Sequence, residues 1–332
     1  MKKSILFTVL LSLLAVIAYA QKPKAPEREG WGDSPLYGNV ESVTITNYVL
    51  AEKFGEIVKD MIDHKEVYKF NQKGDVIEKA DYKSDGSLSG KWLYKYDSQG
   101  KLIERASYSY GSLGSKGLYK YDSQGNNIER VWYHSDGSLN KYTYKYDSRG
   151  NKIEEADYKS DGSLSVKYTD KYDSQGKLIE CARYYDGSLY SKWLYKYDSQ
   201  GNKIERAEYN SYGSLTRKYT YKYDSRGNKI EEAEYTSYGS LDRKYTYKYD
   251  SQGNQIEATV YFPDGSRGSK TICKYDSQGN KIEWAEYYSN GSLDKKYTYK
   301  YDSQGNWIEW IRYEGKIMTP TRMSVREIVY RK

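Results

Sequence analysis

Few side chains in this 332-residue sequence are equipped for chemistry. There are two histidines, His64 and His134, and two cysteines, Cys181 and Cys273. No His-x-x-x-His or Cys-x-x-Cys spacing brings them together, so a zinc site lacks ligands. The string Asp-Ser-Gln-Gly-Asn has a faint calcium-loop character. Calcium wants six to eight oxygens, however, and each string offers one Asp and one Asn. Turn chemistry accounts for it. Neither a Gly-x-Ser-x-Gly elbow nor a phosphate loop occurs. Carboxylates abound, and two of them could in principle flank a glycosidic bond. Yet Ile-Glu recurs ten times, from Ile77-Glu78 to Ile308-Glu309. A position repeated tenfold builds structure, whereas catalysis needs a distinct pocket. The expectation is no enzyme, no metal and no cofactor; an end segment is where an unrepeated pocket would have to form.

The aromatic residues are the sharper feature. Tyr occurs 42 times against four Phe. Tyr219, Tyr221 and Tyr223 alternate along one segment, and Tyr245, Tyr247 and Tyr249 do so in the next copy. With Trp193 and Trp284 they form the candidate ligand surface, able to stack on sugar rings and to hydrogen-bond sugar hydroxyls. Trp92, Trp132, Trp307 and Trp310 are further off-pattern aromatics. The competing reading is that these rings stabilise a sheet through cross-strand pairs, each contributing about 0.2 to 1 kcal/mol.

The elements that carry them repeat with a period of 25 or 26 residues. Asp of a Tyr-Asp pair falls at 97, 122, 147, 173, 198, 224, 250, 276 and 302, and Phe70-Asn71 begins a diverged tenth copy. Such self-similarity outranks any local reading. Each copy holds two turn signals, Asp-Ser-Gln/Arg-Gly and Ser-Asp/Tyr-Gly-Ser, in which Asp or Ser bonds the backbone two residues on and Gly supplies a positive φ. Between them run segments of strict alternation, such as Lys218 to Tyr223, rich in the strand formers Tyr and Thr. No apolar 3.6-residue period appears, so no helices are predicted in the repeats. The fold class is all-β: a tandem array of antiparallel hairpins, about twenty strands, in an extended, twisted or curled sheet.

Turn chemistry suggests a register. A three-residue bulged loop at Ser225-Arg226-Gly227 pairs Asp224 with Asn228. Tyr221 then faces Glu231, Thr220 faces Glu232 and Lys218 faces Glu234, with tyrosines on one face and Lys-Glu pairs on the other. A four-residue loop would slide this by one and move Ile230 to the tyrosine face. The cysteines lie seven strand steps apart, roughly 34 Å in a flat sheet. A disulfide needs Cα atoms within about 7 Å, so none forms unless the sheet curls closed.

The ends differ from the array. Lys2, Lys3, an apolar run from Ile5 to Ile17 and Ala18-Tyr19-Ala20 read as a signal peptide over 1–20. Residues 21–39 read as a linker, 40–69 as N-terminal capping strands, 70–313 as the repeats and 314–332 as a C-terminal capping strand. The ends would cover the edges of the array. No later run is long enough for a transmembrane helix. The chain is expected to be exported: periplasmic, cell-surface or extracellular. Its formal charge of +7 is dispersed among acids, without a basic block. That argues against nucleic acid.

The order Tyr-Asp-x-x-Gly-x-Ile, Asp-Gly, Tyr-x-Tyr-Asp resembles the Rhs/YD-repeat family over residues 68 to 313. One copy shows it in Tyr172-Asp173, Gly176, Leu178, Asp186-Gly187 and Tyr195-Lys196-Tyr197-Asp198. The resemblance implies an extracellular or surface β-sheet protein, often carbohydrate-associated and sometimes a shell around a toxin. Only some twenty residues follow the last repeat, which makes a toxin cargo unexpected. The expected function is a structural or interaction module of the envelope or exterior, presenting a tyrosine-rich β surface to a protein or polysaccharide. Carbohydrate binding by that face is the alternative.

Overall fold

A computed structural model describes residues 31, 35–315 and 317–332. The predicted signal peptide and most of the predicted linker lie outside the described residues. The described chain forms 22 antiparallel strands, each hydrogen-bonded to the next in sequence. The first, β1 (Val40–Lys53), pairs with β2 (Glu56–Phe70) on one side and with the last, β22 (Thr319–Tyr330), on the other. The sheet therefore closes into a barrel, as far as curling can go, and no edge is left open. The two end segments pair with each other rather than covering separate edges.

A representative stretch of the array comprises β13 (Lys203–Asn210) and the hairpin of β14 (Leu215–Tyr223) and β15 (Lys229–Thr236). The Asp224 turn closes as predicted, with Asp224 N–H donating to the Asn228 carbonyl and Gly227 N–H to that of Asp224. The Asp224 carboxylate accepts from the N–H groups of Arg226 and Asn228, each at 2.9 Å. Gly227 has φ 83°, the left-handed conformation such a loop requires. Alternate barrel ends carry these Asp turns and the Ser-x-Gly-Ser turns. Three copies span 25 rather than 26 residues, for local reasons. Tyr110-Gly111 and Asp186-Gly187 form shorter two-residue turns with positive φ at both positions, and β8 (Leu139–Tyr146) lacks the bulge its counterparts carry.

Beyond the turn the expected register fails. Tyr223 pairs with Lys229 and Lys222 with Glu231, so Ile230 has no partner. This bulge shifts every later pair by one: Tyr221 faces Glu232, Thr220 faces Ala233 and Lys218 faces Tyr235. Two consequences follow. Lys218 bonds Glu205 on its other neighbour, not Glu234. The separation of tyrosines from Lys-Glu pairs is also incomplete, because Tyr235 and its equivalents share the face of the lysines.

Copies compared side by side show what each face is for. One face is nearly uniform: the positions of Lys218, Lys222, Glu231 and Tyr235 keep those residue types in all ten copies. Glutamates such as Glu104, Glu129, Glu205 and Glu257 are each gripped by two lysines at 2.5 to 3.0 Å, from Lys95 and Lys116 through Lys248 and Lys270. Exposed pairs contribute little singly, but here they form a ladder. The other face is varied. The position of Glu232 holds Lys79, Arg105, Arg130, Glu155, Cys181, Arg206, Ala258, Trp284 or Trp310 in other copies.

The varied face also carries the repeating link between units. The Tyr223 hydroxyl donates to the Lys203 carbonyl at 2.8 Å, the residue before the bulged Ile204. Nine tyrosines make this bond at 2.7 to 2.9 Å, from Tyr96 to Tyr301. Each bond ties strand ends together where ladder pairing has stopped. The main apolar cluster lies at the seam and the first strands beside it, where Leu36, Val40, Val43, Tyr68, Phe70, Val76, Tyr94 and Leu102 gather and Trp31 packs on them, while the array buries little more than its alanines. Cys181 on β11 (Leu178–Tyr185) and Cys273 on β18 (Arg267–Tyr275) are both free, since closure still leaves seven strand steps between them.

Candidate functional site

All eight predicted surface residues lie on the varied face. Tyr219, Tyr221 and Tyr223 pair with Glu234, Glu232 and Lys229. Tyr245, Tyr247 and Tyr249 pair with Val260, Ala258 and Gln255. Trp193 pairs with Cys181 and Glu208, and Trp284 with Cys273 and Tyr297. The strands thus bring the six tyrosines into two rows, on β14 and on β16 (Leu241–Tyr249), with β15 between them. Trp193 stands one hairpin before the first row, and Trp284 stands beyond the second.

The eight do not play one part. Tyr223 and Tyr249 use their hydroxyls in the interunit links. Tyr221 sits between the ammonium groups of Lys203 and Lys229, 5.4 and 5.7 Å from its ring centre. Burial, with the nearby Glu232 charge, pushes its hydroxyl up to about 12. Tyr219 lies under the Arg206 guanidinium at 5.1 Å. Trp284, Tyr297 and Trp310 form a run of rings with centres 5.5 and 5.8 Å apart. These tyrosines are half-buried among charged neighbours rather than laid bare. Burial and the Asp170 side chain push the Cys181 thiol up to about 12, which makes it a poor nucleophile.

Sequence reasoning missed a second site, at the seam. There β1, β2, β21 (Trp307–Glu314) and β22 shape an open cavity of about 280 Å³ on the varied face, lined by Trp31, Ile45, Asn47, His64, Glu66, Tyr68, Trp307, Trp310, Ser324 and Arg326. Burial pushes the Arg326 guanidinium down to about 9, against the pull of Tyr68 and Asp302, so it stays charged at neutral pH. It stands 3.6 Å from the Trp307 ring centre and 5.3 Å from that of Trp31. Burial alone would raise the Glu66 carboxyl, but the Tyr68 hydroxyl at 2.7 Å and Lys79 at 3.0 Å hold it below the usual range. Asn47 and His64 join at 3.0 Å across the β1–β2 ladder. The only sequence signal for this site was that its residues fall outside the repeats or off their pattern. Among the described residues no group of three or more His, Cys, Asp or Glu is placed to hold a metal ion.

No family model matches the chain, and no curated protein does. Among solved structures, a chain of the TcdB2-TccC3-Cdc42 complex aligns over 76% of this chain and 16% of its own, at 13% identity and a TM-score of 0.43. The Photorhabdus luminescens Tc holotoxin pore aligns over 83% of this chain and 19% of its own, at 12% identity and a TM-score of 0.33. A porin-like protein from Bacteroides uniformis aligns over 87% and 98%, at 11% identity and a TM-score of 0.28. This chain therefore spans a fifth or less of those toxin chains. Likeness at this level transfers no activity.

Proposed function

We propose that this is an exported, Rhs/YD-type structural and interaction protein of the envelope or exterior, working without catalysis. The observation that carries this reading is the division of labour between faces. Lys218, Lys222, Glu231, Tyr235 and the Asp224 turn repeat because they build the ring. Charge and aromatic character change from copy to copy on the varied face, at the positions of Lys229, Glu232 and Glu234, whereas the uniform face exchanges only small or aliphatic residues, at the positions of Thr220 and Ala233, as a partner-reading surface would require.

Neither face has the lipid-facing apolar band of a membrane barrel. The uniform face carries Lys-Glu ladders, and the varied face carries Arg130, Arg206, Glu232 and Glu234. No helix among the described residues is long and apolar enough to cross a membrane.

The test is capture of envelope or secreted partners on immobilised protein, repeated with Arg206→Ala plus Glu232→Ala and with Lys222→Ala. Loss with the first pair and retention with the second supports the reading. The reverse result overturns it.

A carbohydrate partner is the second reading, favoured by the ring run of Trp284, Tyr297 and Trp310. Retention on immobilised polysaccharide should fall when Tyr219 and Tyr221 become Thr and Trp284 becomes Ala. Tyr223 is left intact in that variant, because its hydroxyl serves the frame. Unchanged retention removes this surface from consideration.

A further inference from the structure

Arg326 is 3% exposed, yet its Nε and Nη1 meet no hydrogen-bond partner. Ser324, 1% exposed and two residues away on the same face of β22, likewise leaves its hydroxyl unpartnered. Buried donors without acceptors are rare, because each gives up its water for nothing. Five other arginines share an unpartnered Nε, but all five side chains are only partly buried. Arg326 differs in being enclosed, in lacking two partners and in facing a cavity.

The surroundings of Arg326 define what is missing. Trp31 and Trp307 occupy its neighbourhood as rings, which attract a cation but accept no in-plane hydrogen bond. Glu66 is the carboxylate of the cavity wall, and it is already engaged by Tyr68 and Lys79. What the guanidinium lacks is therefore an anionic acceptor, brought from outside, in the plane of its N–H groups. Trp310 and Tyr68 supply flat apolar walls, and Asn47, directly across the β1–β22 ladder from Ser324, adds polar groups with His64. The volume of about 280 Å³ falls near the lower end for small-molecule sites.

We propose that the seam cavity is a binding site for a small ring-bearing carboxylate, its carboxylate on Arg326 and Ser324 and its ring against Trp310 and Tyr68. This goes beyond the repetitive surface proposed above and does not depend on it. It gives the protein one discrete ligand site in a fold otherwise made of copies.

The probe is benzoate, with benzamide as its uncharged counterpart and acetate as the carboxylate without a ring. Intrinsic tryptophan fluorescence reads binding, since three of the seven tryptophans line the cavity. Benzoate should quench saturably and raise the melting temperature. Benzamide and acetate should each bind at least tenfold more weakly. Ser324→Ala, which keeps the fold, should weaken benzoate severalfold. Arg326→Met should abolish its binding, with circular dichroism confirming the β-sheet; if that variant does not fold, Arg326→Lys and Ser324→Ala decide. Equal response to benzoate and benzamide overturns the assignment of a carboxylate. No saturable response to benzoate shows that water alone meets Arg326 and overturns the site.

Discussion

The array and the seam solve the same problem by opposite means. In the array, each hairpin holds its neighbour through ladder bonds, the tyrosine hydroxyl links and Lys-Glu-Lys bridges, with almost no apolar core. Its isoleucines sit at bulges and stay partly open, Ile230 at 38% exposure. At the seam, Leu36 is 1% exposed and Val40 and Val43 are fully buried. Asn306, also fully buried, holds the Tyr37 N–H, the Tyr37 carbonyl and the Tyr330 hydroxyl. Distributed polar contacts suffice where every unit has two identical neighbours. Where the chain must meet itself across 300 residues, a compact apolar cluster does the joining. Stability in this ring should therefore be even around most of its circumference and concentrated at one point.

The largest test of that contrast is to remove one piece of each. Ending the chain at Gly315 deletes β22 and leaves two open edges. Size-exclusion chromatography should then show oligomers or aggregates. Deleting residues 198–223 removes one whole copy with its two turns and joins Tyr197 to Asp224, leaving every other turn intact, so a folded monomer with undiminished cooperativity is expected by circular dichroism. If both deletions behave alike, the distinction between seam and array is wrong. Next in size, Leu36→Ala or Val43→Ala should cost about 2 to 4 kcal/mol in urea unfolding. Ile230→Ala, partly exposed already, should cost under about 1 kcal/mol. Smaller again, Tyr223→Phe removes one hydroxyl link and should cost about 0.5 to 1.5 kcal/mol. The same change at Tyr249 should add to it nearly in full, since the array has no single keystone.

Acid should also separate the two regions. Hydrogen bonds from Asn228 and turn N–H groups hold the Asp224 carboxyl below its ordinary value, and Asp122, Asp147 and Asp198 are held down in the same way. Lysines do likewise for Glu104 and Glu129. Depressed folded values mean that the unfolded chain binds more protons. This stabilisation is complete above the unfolded values, near pH 4, and is lost as pH falls through the folded ones. Melting temperature should be flat from pH 5 to 7 and fall below about pH 4. Asp224→Asn should lessen that fall slightly. The smallest effect should come from Lys222→Ala, a barely measurable shift in melting temperature that vanishes in high salt.

Much of this fold was legible in the residues. The repeat, both turns and the alternation of Lys218 to Tyr223 follow from Asp, Gly and Tyr at fixed spacing, because turn geometry is local. The bulge at Ile230 was not legible. Nothing in the residue type marks it, and it shows only once the Tyr249 hydroxyl is seen to bond the carbonyl of Lys229, the residue before it on the preceding strand. Closure was hidden for a similar reason, since Val43 and Ile328 are ordinary strand residues until they meet. Of the candidate surface, the alternation of Tyr219, Tyr221 and Tyr223 already put those three on one face, while the side taken by Trp193 and Trp284 follows only from the register. The variation around them at Arg206 or Glu232 becomes informative only when the register is known. Arg326 looked like any charge in a terminal strand; its burial depends on Trp31, nearly 300 positions away.

The near-identity of the copies has a consequence at the level of the gene. Segments encoding such similar units invite unequal recombination, which adds or removes whole copies. In most folds that would tear the core. Here each event inserts or deletes one hairpin and widens or narrows the circumference by two strand spacings, roughly 10 Å. The joining strands at the seam would remain as they are. Lineages could thus inherit rings of different girth around an unchanged clasp, with bore as a trait that mutates in steps.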